Sequence, residues 1–344
     1  MKVLLTGHHG YIGSVCAPLL AEAGHEVVGL DTLFYRDCDL PSAPGRSTGE
    51  LLLDVRDVRP EQLQGFDAVV HLAALSNDPI GDFSPELTRE INFGATVSLA
   101  RAAREAGVGR FVFFSSCSMY GAAADEAVDE TAPLKPLSAY AESKVRSEEA
   151  LADLAEPGFA AVSLRNATAY GVSPRLRVDL VLNNLVGWAH TTGKVRIMSD
   201  GTPWRPLIHI EDMSRTALAA LEAPEDVVRG QAFNVGRDSE NYQVRQLGDI
   251  VQDVVPGSVV EYAGTGDPDP RSYRVSFAKL ARTFPELELS WTARTGAEQL
   301  AAAYRAANLD LAEFESDRFI RLKRLRLLLE RGDLDSALRW REAA

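Results

Sequence analysis

The chain has 344 residues, 46% of them hydrophobic and 25% charged, with a formal net charge of -13. That composition is ordinary for a soluble globular protein with ample material for a core, and the charge argues against broad attraction to nucleic acid or anionic lipid. Cys16, Cys38 and Cys117 are too few and too scattered for a disulfide framework, no signal peptide is read at the N-terminus, and no stretch approaches the ~18 apolar residues of a membrane span, so a cytoplasmic, reducing location is expected.

In chain order, "KVLLTG" reads as a strand and the stretch from Gly13 to Gly24 as a helix. "HEVVGLD", "DAVVHLAA" and "RFVFFSS" read as further strands. Between the last two lies one long helical pattern, "SPELTREINFGATVSLARAAREAG", with Gly107 as its stop. "FAAVSLR" and "QAFNVG" add strands later. Strands alternating with helices of this length imply right-handed crossovers and a doubly wound parallel α/β sheet of Rossmann type. After about residue 172 the chain turns rich in Pro, Gly, Arg and Asn, as expected of loops and short elements, including those at 264–280, covering the carboxyl end of the sheet. The expected division is a dinucleotide-binding unit of 1–170 plus about 205–236. A smaller α/β substrate unit spans about 171–204 plus 237–310, and 311–344 form a helical extension. That last stretch has a basic face, expected to be a helix packed on the body, with an oligomer contact as the alternative.

The first motif is "TGHHGYIGS", which sets Gly7, Gly10 and Gly13 between a strand and a helix. Glycines suit a tight turn, a close approach to pyrophosphate and close helix–strand packing, and the helix N-terminus offers free N–H groups to phosphate. Tyr11 and Ile12 lie within that turn. Asp31 ends the second strand, where a carboxylate accepts ribose hydroxyls and repels a 2′-phosphate; this favours NAD, and Arg36 leaves a small opening for NADP. The six histidines are scattered, and His8-His9 are adjacent with no third partner in the sequence, so no metal is expected.

The second motif is "YAESK", which places Tyr140 and Lys144 on one face of a helix. Tyrosine ionises near pH 10 and is a poor base at neutrality; a nearby ammonium is expected to lower it. "SSCSMYG" at 115–121 ends the preceding strand in hydroxyls.

Together with Asp31, "LDVRD", "HLAA", "EINFGAT", "RNATAYG" and "WRPLIHIEDM", these motifs resemble the extended short-chain dehydrogenase/reductases of the NAD-dependent nucleotide-sugar epimerase/dehydratase family, over residues 1 to about 300. The resemblance implies a catalytic Ser116 beside Tyr140 and Lys144. It implies cofactor contacts from Asp54 and Val55 at the adenine, and from Leu72, Ala73, Ala74, Asn92 and Ser115. It implies substrate contacts from Ser76, Ser118, Thr168, Asn184, Arg205 and Arg271, the two arginines clamping a diphosphate. It also implies a homodimer through the helices carrying Asn92 and Tyr140.

Water-eliminating members carry an acidic pair where this chain has Cys117 and Ser118, so the UDP-glucose 4-epimerase branch is closest. A net 4-keto reductase or dehydrogenase would use the same residues, and a non-catalytic NAD sensor is the reading from another class. Cys117 is expected to face away from substrate, and Arg177 with Asp179 to form a surface ion pair, with a place in the lining of the sugar pocket as the alternative. Thr168 stands where the family carries asparagine.

Overall fold

The computed structural model describes residues 1–40, 49–122, 126–262 and 271–341. With strands numbered in chain order, the main sheet contains β1 (Lys2–Thr6), β2 (Glu26–Asp31), β3 (Gly49–Leu52), β4 (Ala68–His71), β5 (Arg110–Ser116), β6 (Ala160–Asn166) and β10 (Gln231–Val235). Their order is β10-β6-β5-β4-β1-β2-β3, and every neighbouring pair is parallel. The chain winds outward from β1 through β3, then crosses back to continue from β4 on the other side. Loops after β1 and β4 therefore diverge, which opens a crevice at the carboxyl edge.

The strands are near-continuous apolar runs because helices cover both faces of the sheet. Alternate side chains feed opposite cores. Val3, Leu5, Val70, Val112 and Phe114 join Cys16, Leu20, Met213 and Ala217 from the helices Gly13–Glu22 and Ile210–Glu222. Leu4, Val69, Phe111 and Phe113 join Leu99 and Leu151 from the helices Ala95–Glu105 and Ala139–Leu154.

The long helical pattern before β5 is divided. A short helix Pro85–Thr88 runs into a π-helical turn, Arg89–Gly94, before the α-helix Ala95–Glu105. The wider turn re-aims Asn92 inward. Its amide accepts from Leu75 N at 2.8 Å and donates to Leu75 O at 3.0 Å.

Beyond β6 a single residue, Ala167, separates the sheet from β7 (Thr168–Tyr170), so the second lobe is rooted at the crevice. With β8 (Lys194–Ile197), β9 (Trp204–His209), β11 (Asn241–Gln243) and β12 (Val259–Tyr262), it forms a three-stranded sheet β11-β9-β7 and a parallel pair β12-β8. Helices Val181–Thr192, Val244–Val254 and Ala293–Ala306 close a separate core around Val186, Leu207, Leu247, Leu300 and Tyr304. Of the Gly- and Pro-rich stretch at 264–280, residues 264–270 lie outside the described ones.

The tail packs on the body through the helix Arg321–Glu330. Leu325, Leu328, Leu334 and Leu338 meet Phe34, Leu75, Ile80 and Ile91, beside the loops that follow β2 and β4. Among the described residues, no helix is long and apolar enough to cross a membrane.

Candidate active site

Two adjoining cavities occupy the crevice. The smaller, about 140 Å³, begins at the glycine turn. Gly7 has φ +73°, and a Cβ there would stand 2.9 Å from Ala73 N; one on Gly13 would stand 2.1 Å from Gly7 O. Only glycine lets the three segments lie this close. Thr6 and His71 tie the same strand ends together. The Thr96 hydroxyl donates to Asn92 O at 2.6 Å, leaving its oxygen to accept from His71 Nε2 at 2.8 Å. His71 Nδ1 therefore accepts from Thr6 Oγ1 at 2.7 Å, whose oxygen in turn accepts from Leu72 N and Ala73 N. Burial pushes His71 down to about 3, so it is neutral.

The helix Gly13–Glu22 has no side-chain cap; Ser14 N and Val15 N donate to Gly10 O and Ile12 O, which leaves the Gly13 N–H at the turn. Asp31, at the end of β2, accepts from His9 N at 3.1 Å and Leu33 N at 2.8 Å. Gly7, Gly10, Tyr11, Ile12, Gly13 and Asp31 line this cavity on one side. Asp54, Val55, Leu72, Ala73, Ala74 and Ser76 also line it. Amide donors beside a glycine turn, with a carboxylate one strand away, fit a dinucleotide.

The larger cavity, about 630 Å³, is lined by Ser115, Ser116, Ser118, Tyr140 and Lys144 from the sheet side. Thr168, Asn184, Arg205 and Arg271 line it from the second lobe. Ser138 caps the helix Ala139–Leu154, accepting from Ala141 N at 3.1 Å, which fixes Tyr140 in its first turn. Lys144, one turn on, donates to Phe114 O at 2.7 Å with its ammonium 5.7 Å from the Tyr140 ring centroid. Burial pushes Lys144 down to about 7.

Tyr140 does not follow the expected direction. Burial, with Asp78 adding to it, pushes the phenol up to about 12, while Ser116 and Arg177 pull the other way. In the protein alone Tyr140 is therefore a neutral phenol. Desolvation outweighs the charges around it.

A family model described as "NAD dependent epimerase/dehydratase family" matches residues 3–236. The chain belongs to this family. UDP-glucose 4-epimerase of Corynebacterium glutamicum is 32% identical over 308 residues, 85% of this chain and 91% of that protein. The structure of MoeE5 in complex with UDP-glucose and NAD has a TM-score of 0.74 at 26% identity, covering 90% of this chain and all of that one. DesIV, a dTDP-glucose 4,6-dehydratase from Streptomyces venezuelae with NAD bound, has a TM-score of 0.76 at 26% identity over 89% of this chain and 97% of its own. The cofactor is NAD, as the family's dependence and the groups around the glycine turn agree.

Against this family frame several expectations change. Asn92 lines neither cavity; its amide is occupied by Leu75 and Ser143, which ties the segment after β4 to the helix Ala139–Leu154. Arg177 and Asp179 are not a surface pair. Arg177 is 6% exposed, binds Asp179 at 2.9 Å and Ser76 Oγ at 3.1 Å, and lines both cavities. His8 and His9 do gain a third partner, because β3 brings Glu50 to 3.0 Å from His9 Nε2 and 3.5 Å from His8 Nε2. Arg175 donates to His9 Nδ1 at 3.2 Å, so the His9 proton lies on Nε2, toward Glu50, while neither His8 ring nitrogen has a hydrogen-bond partner.

Cys117 faces away as expected, its thiol donating to Arg165 O at 3.0 Å. Ser115 Oγ and Ser118 Oγ are buried without partners. Arg205 donates to the carbonyls of Trp204 and Arg271, and Arg271 pairs with Asp78. Asn184 Nδ2 donates to Val178 O at 2.9 Å. Asn77, Asp78 and Arg321 also line the cavities although no motif contained them, and so does Asn166, which lies inside "RNATAYG" but was given no role. "SNDP" follows "HLAA" after the single residue Leu75 and was the available signal for Asn77 and Asp78.

Proposed function

We propose that this protein is an NAD-dependent nucleotide-sugar 4-epimerase. The observation that carries the reading is the hydroxyl-lined strand end at Ser116, facing Tyr140 and Lys144, with no carboxylate at Cys117 or Ser118. Ser116 orients the C4 hydroxyl, and Tyr140 exchanges the proton of that hydroxyl. Lys144 holds the nicotinamide ribose and keeps Tyr140 in register. Bound oxidised NAD supplies a positive charge that brings the Tyr140 phenol down, and reversible hydride storage while the 4-keto sugar turns. In this reading the seven-stranded sheet and its helices hold the dinucleotide, and the lobe that begins at β7 and includes β9 holds the nucleotide sugar.

Ser118, Thr168, Asn184, Arg205 and Arg271 are the substrate contacts in this reading, joined by Ser76 where the cavities meet. Among the described residues, the two carboxylates that enter the larger cavity are engaged: Asp78 with Arg271 and Ser138, Asp179 with Arg177 and Asn77. Arg177 holds Asp179 below the usual carboxylate range despite its burial. Neither is a ready acid for expelling water, which supports epimerisation over dehydration. The family resemblance supports a homodimer through the helices that carry Asn92 and Tyr140, and three buried free cysteines are compatible with a reducing cytoplasm.

The test is incubation of purified protein with UDP-, dTDP-, GDP- and CDP-hexoses, following sugar configuration by NMR and NADH by absorbance. An isomeric sugar without net NADH is expected. Net reduction or oxidation of one sugar would establish the reductase or dehydrogenase instead.

A further inference from the structure

The cofactor cavity has one wall that the family match does not reach. Arg321, the first residue of the helix Arg321–Glu330, lines it alongside Gly7, Gly10, Tyr11 and Arg177. It lies 85 positions beyond the last matched residue, 321 against 236. Its side chain is 2% exposed. Nη2 donates to Arg175 O at 2.7 Å, and the guanidinium lies 4.2 Å from the Tyr35 ring centroid. Nη1 is buried with no hydrogen-bond partner.

The nearby anions already have cations. Asp179 is engaged by Arg177 and Asn77, and Asp39 by Arg175. Among the described residues no carboxylate pairs with Arg321. Burial accordingly pushes it below the usual arginine range, with Arg177 adding a like charge. A buried guanidinium lacking a counter-charge is destabilising, and folding does not retain one without a compensating contact.

The tail holds this arginine in place. Arg324 donates to Phe34 O at 3.3 Å and reaches Asp37 at 3.2 Å, and Arg56 donates to Ala337 O at 2.9 Å. Trp340 Nε1 donates to Thr32 O beside the end of β2. The donor is thus pre-positioned between the glycine turn and the loop after β2.

We propose that Arg321 binds the pyrophosphate of NAD, so that the C-terminal extension supplies a cofactor-binding residue and retains the cofactor. The glycine turn and the N-terminus of the helix Gly13–Glu22 offer N–H donors on one side of the phosphates. Arg321 faces them from the other side, and its free Nη1 matches a phosphate oxygen. The proposal rests on the family's NAD dependence and not on the epimerase reading. An enzyme that turns over without releasing NAD benefits from this wall, but a dehydrogenase would show the same binding.

The test compares wild type with Arg321→Met and Arg321→Lys. Binding of NAD, ADP-ribose and adenosine is measured by calorimetry or competition, together with melting temperature without added ligand and the NAD that co-purifies. Arg321→Met should weaken NAD and ADP-ribose by about tenfold or more, the range of one charge-assisted hydrogen bond. Adenosine, which has no phosphate, should bind as before, and the ligand-free melting temperature should hold or rise. Arg321→Lys should fall between the two. Unchanged NAD affinity in Arg321→Met, equal losses for adenosine and ADP-ribose, or a lowered ligand-free melting temperature with normal affinity would each overturn the proposal. Should Arg321→Met fail to fold, Arg321→Lys decides. A loss confined to the pyrophosphate ligands supports the assignment, and no loss or a uniform loss refutes it.

Discussion

Two buried arginines, Arg165 at the end of β6 and Arg321 in the wall of the cofactor cavity, are treated differently by the chain. At the end of β6, Arg165 forks onto Glu148 at 2.8 and 2.9 Å and donates to Tyr120 Oη at 3.0 Å and Glu130 O at 3.1 Å. Its neighbours hold it above the usual arginine range. At the tail, Arg321 has one carbonyl and one aromatic face, and its shift runs the other way. Both guanidiniums are desolvated. The difference lies in whether the chain itself supplies the counter-charge. Where it does, the arginine braces the floor on which Ser116 and Lys144 sit; where it does not, the group is built for something that arrives.

That contrast between a self-sufficient floor and an incomplete wall can be broken experimentally. The largest expected effect is on chemistry. Tyr140→Phe should lower turnover by about 10²–10⁴-fold, the usual contribution of a positioned acid–base group, while co-purified NAD stays at the wild-type level. Loss of NAD in that variant would show that floor and wall are not separable.

Next comes stability. Glu148→Ala strips Arg165 of its carboxylate and should cost about 3–5 kcal/mol in urea unfolding. Arg321→Met removes a charge that has no carboxylate to lose, so a similar destabilisation there would erase the distinction. Ser116→Ala should have a smaller effect, about 10–100-fold in turnover, the range of one hydrogen bond to a charged group, with NAD content unaffected. Kinetics on a nucleotide sugar that the wild type epimerises measures it.

The smallest effect is a slope with pH. Folded His71 stays neutral until about pH 3, whereas in the unfolded chain it binds a proton below its ordinary value of 6.5. The unfolded state therefore holds more protons between those limits. Stability should rise with pH across the window and fall by about 1.4 kcal/mol per unit on acidification, less near its edges. Urea melts from pH 4.5 to 7 on wild type and His71→Asn should separate this contribution, the variant showing the shallower slope.

The floor was legible because its parts are close in sequence and each carries a chemical signature. The glycine turn, Asp31, the hydroxyls after β5 and the Tyr140–Lys144 pair all follow from local spacing, and the structure places them around one crevice. The wall was not. In "RLKRLRLLLE" the arginines look alike, yet Arg321 is buried, Arg324 half-buried and Arg326 exposed. Which of them turns inward depends on how the tail docks, and that is a tertiary fact.

Arg177 and Asp179 show the same limit, since a spacing of two residues says nothing about burial. The π-helical turn at Arg89–Gly94 left no mark on the helical pattern around it. Tyr140 failed in another way. The neighbouring lysine was visible in the sequence, but the depth of burial that outweighs it was not.

The contacts that close the wall are among the longest in the chain: Arg56 to Ala337 spans 281 residues and Thr32 to Trp340 spans 308. Closing loops of that length is entropically unfavourable until both ends are already ordered. The parallel sheet with its glycine turn should therefore form before the tail docks. A refolding chain would pass through a state in which the dinucleotide site is assembled but open to solvent. In a refolding time course, hydrogen-exchange protection at β1 and β4 should accordingly precede protection at 321–330. Cofactor captured in that interval would then be enclosed as the last segment settles.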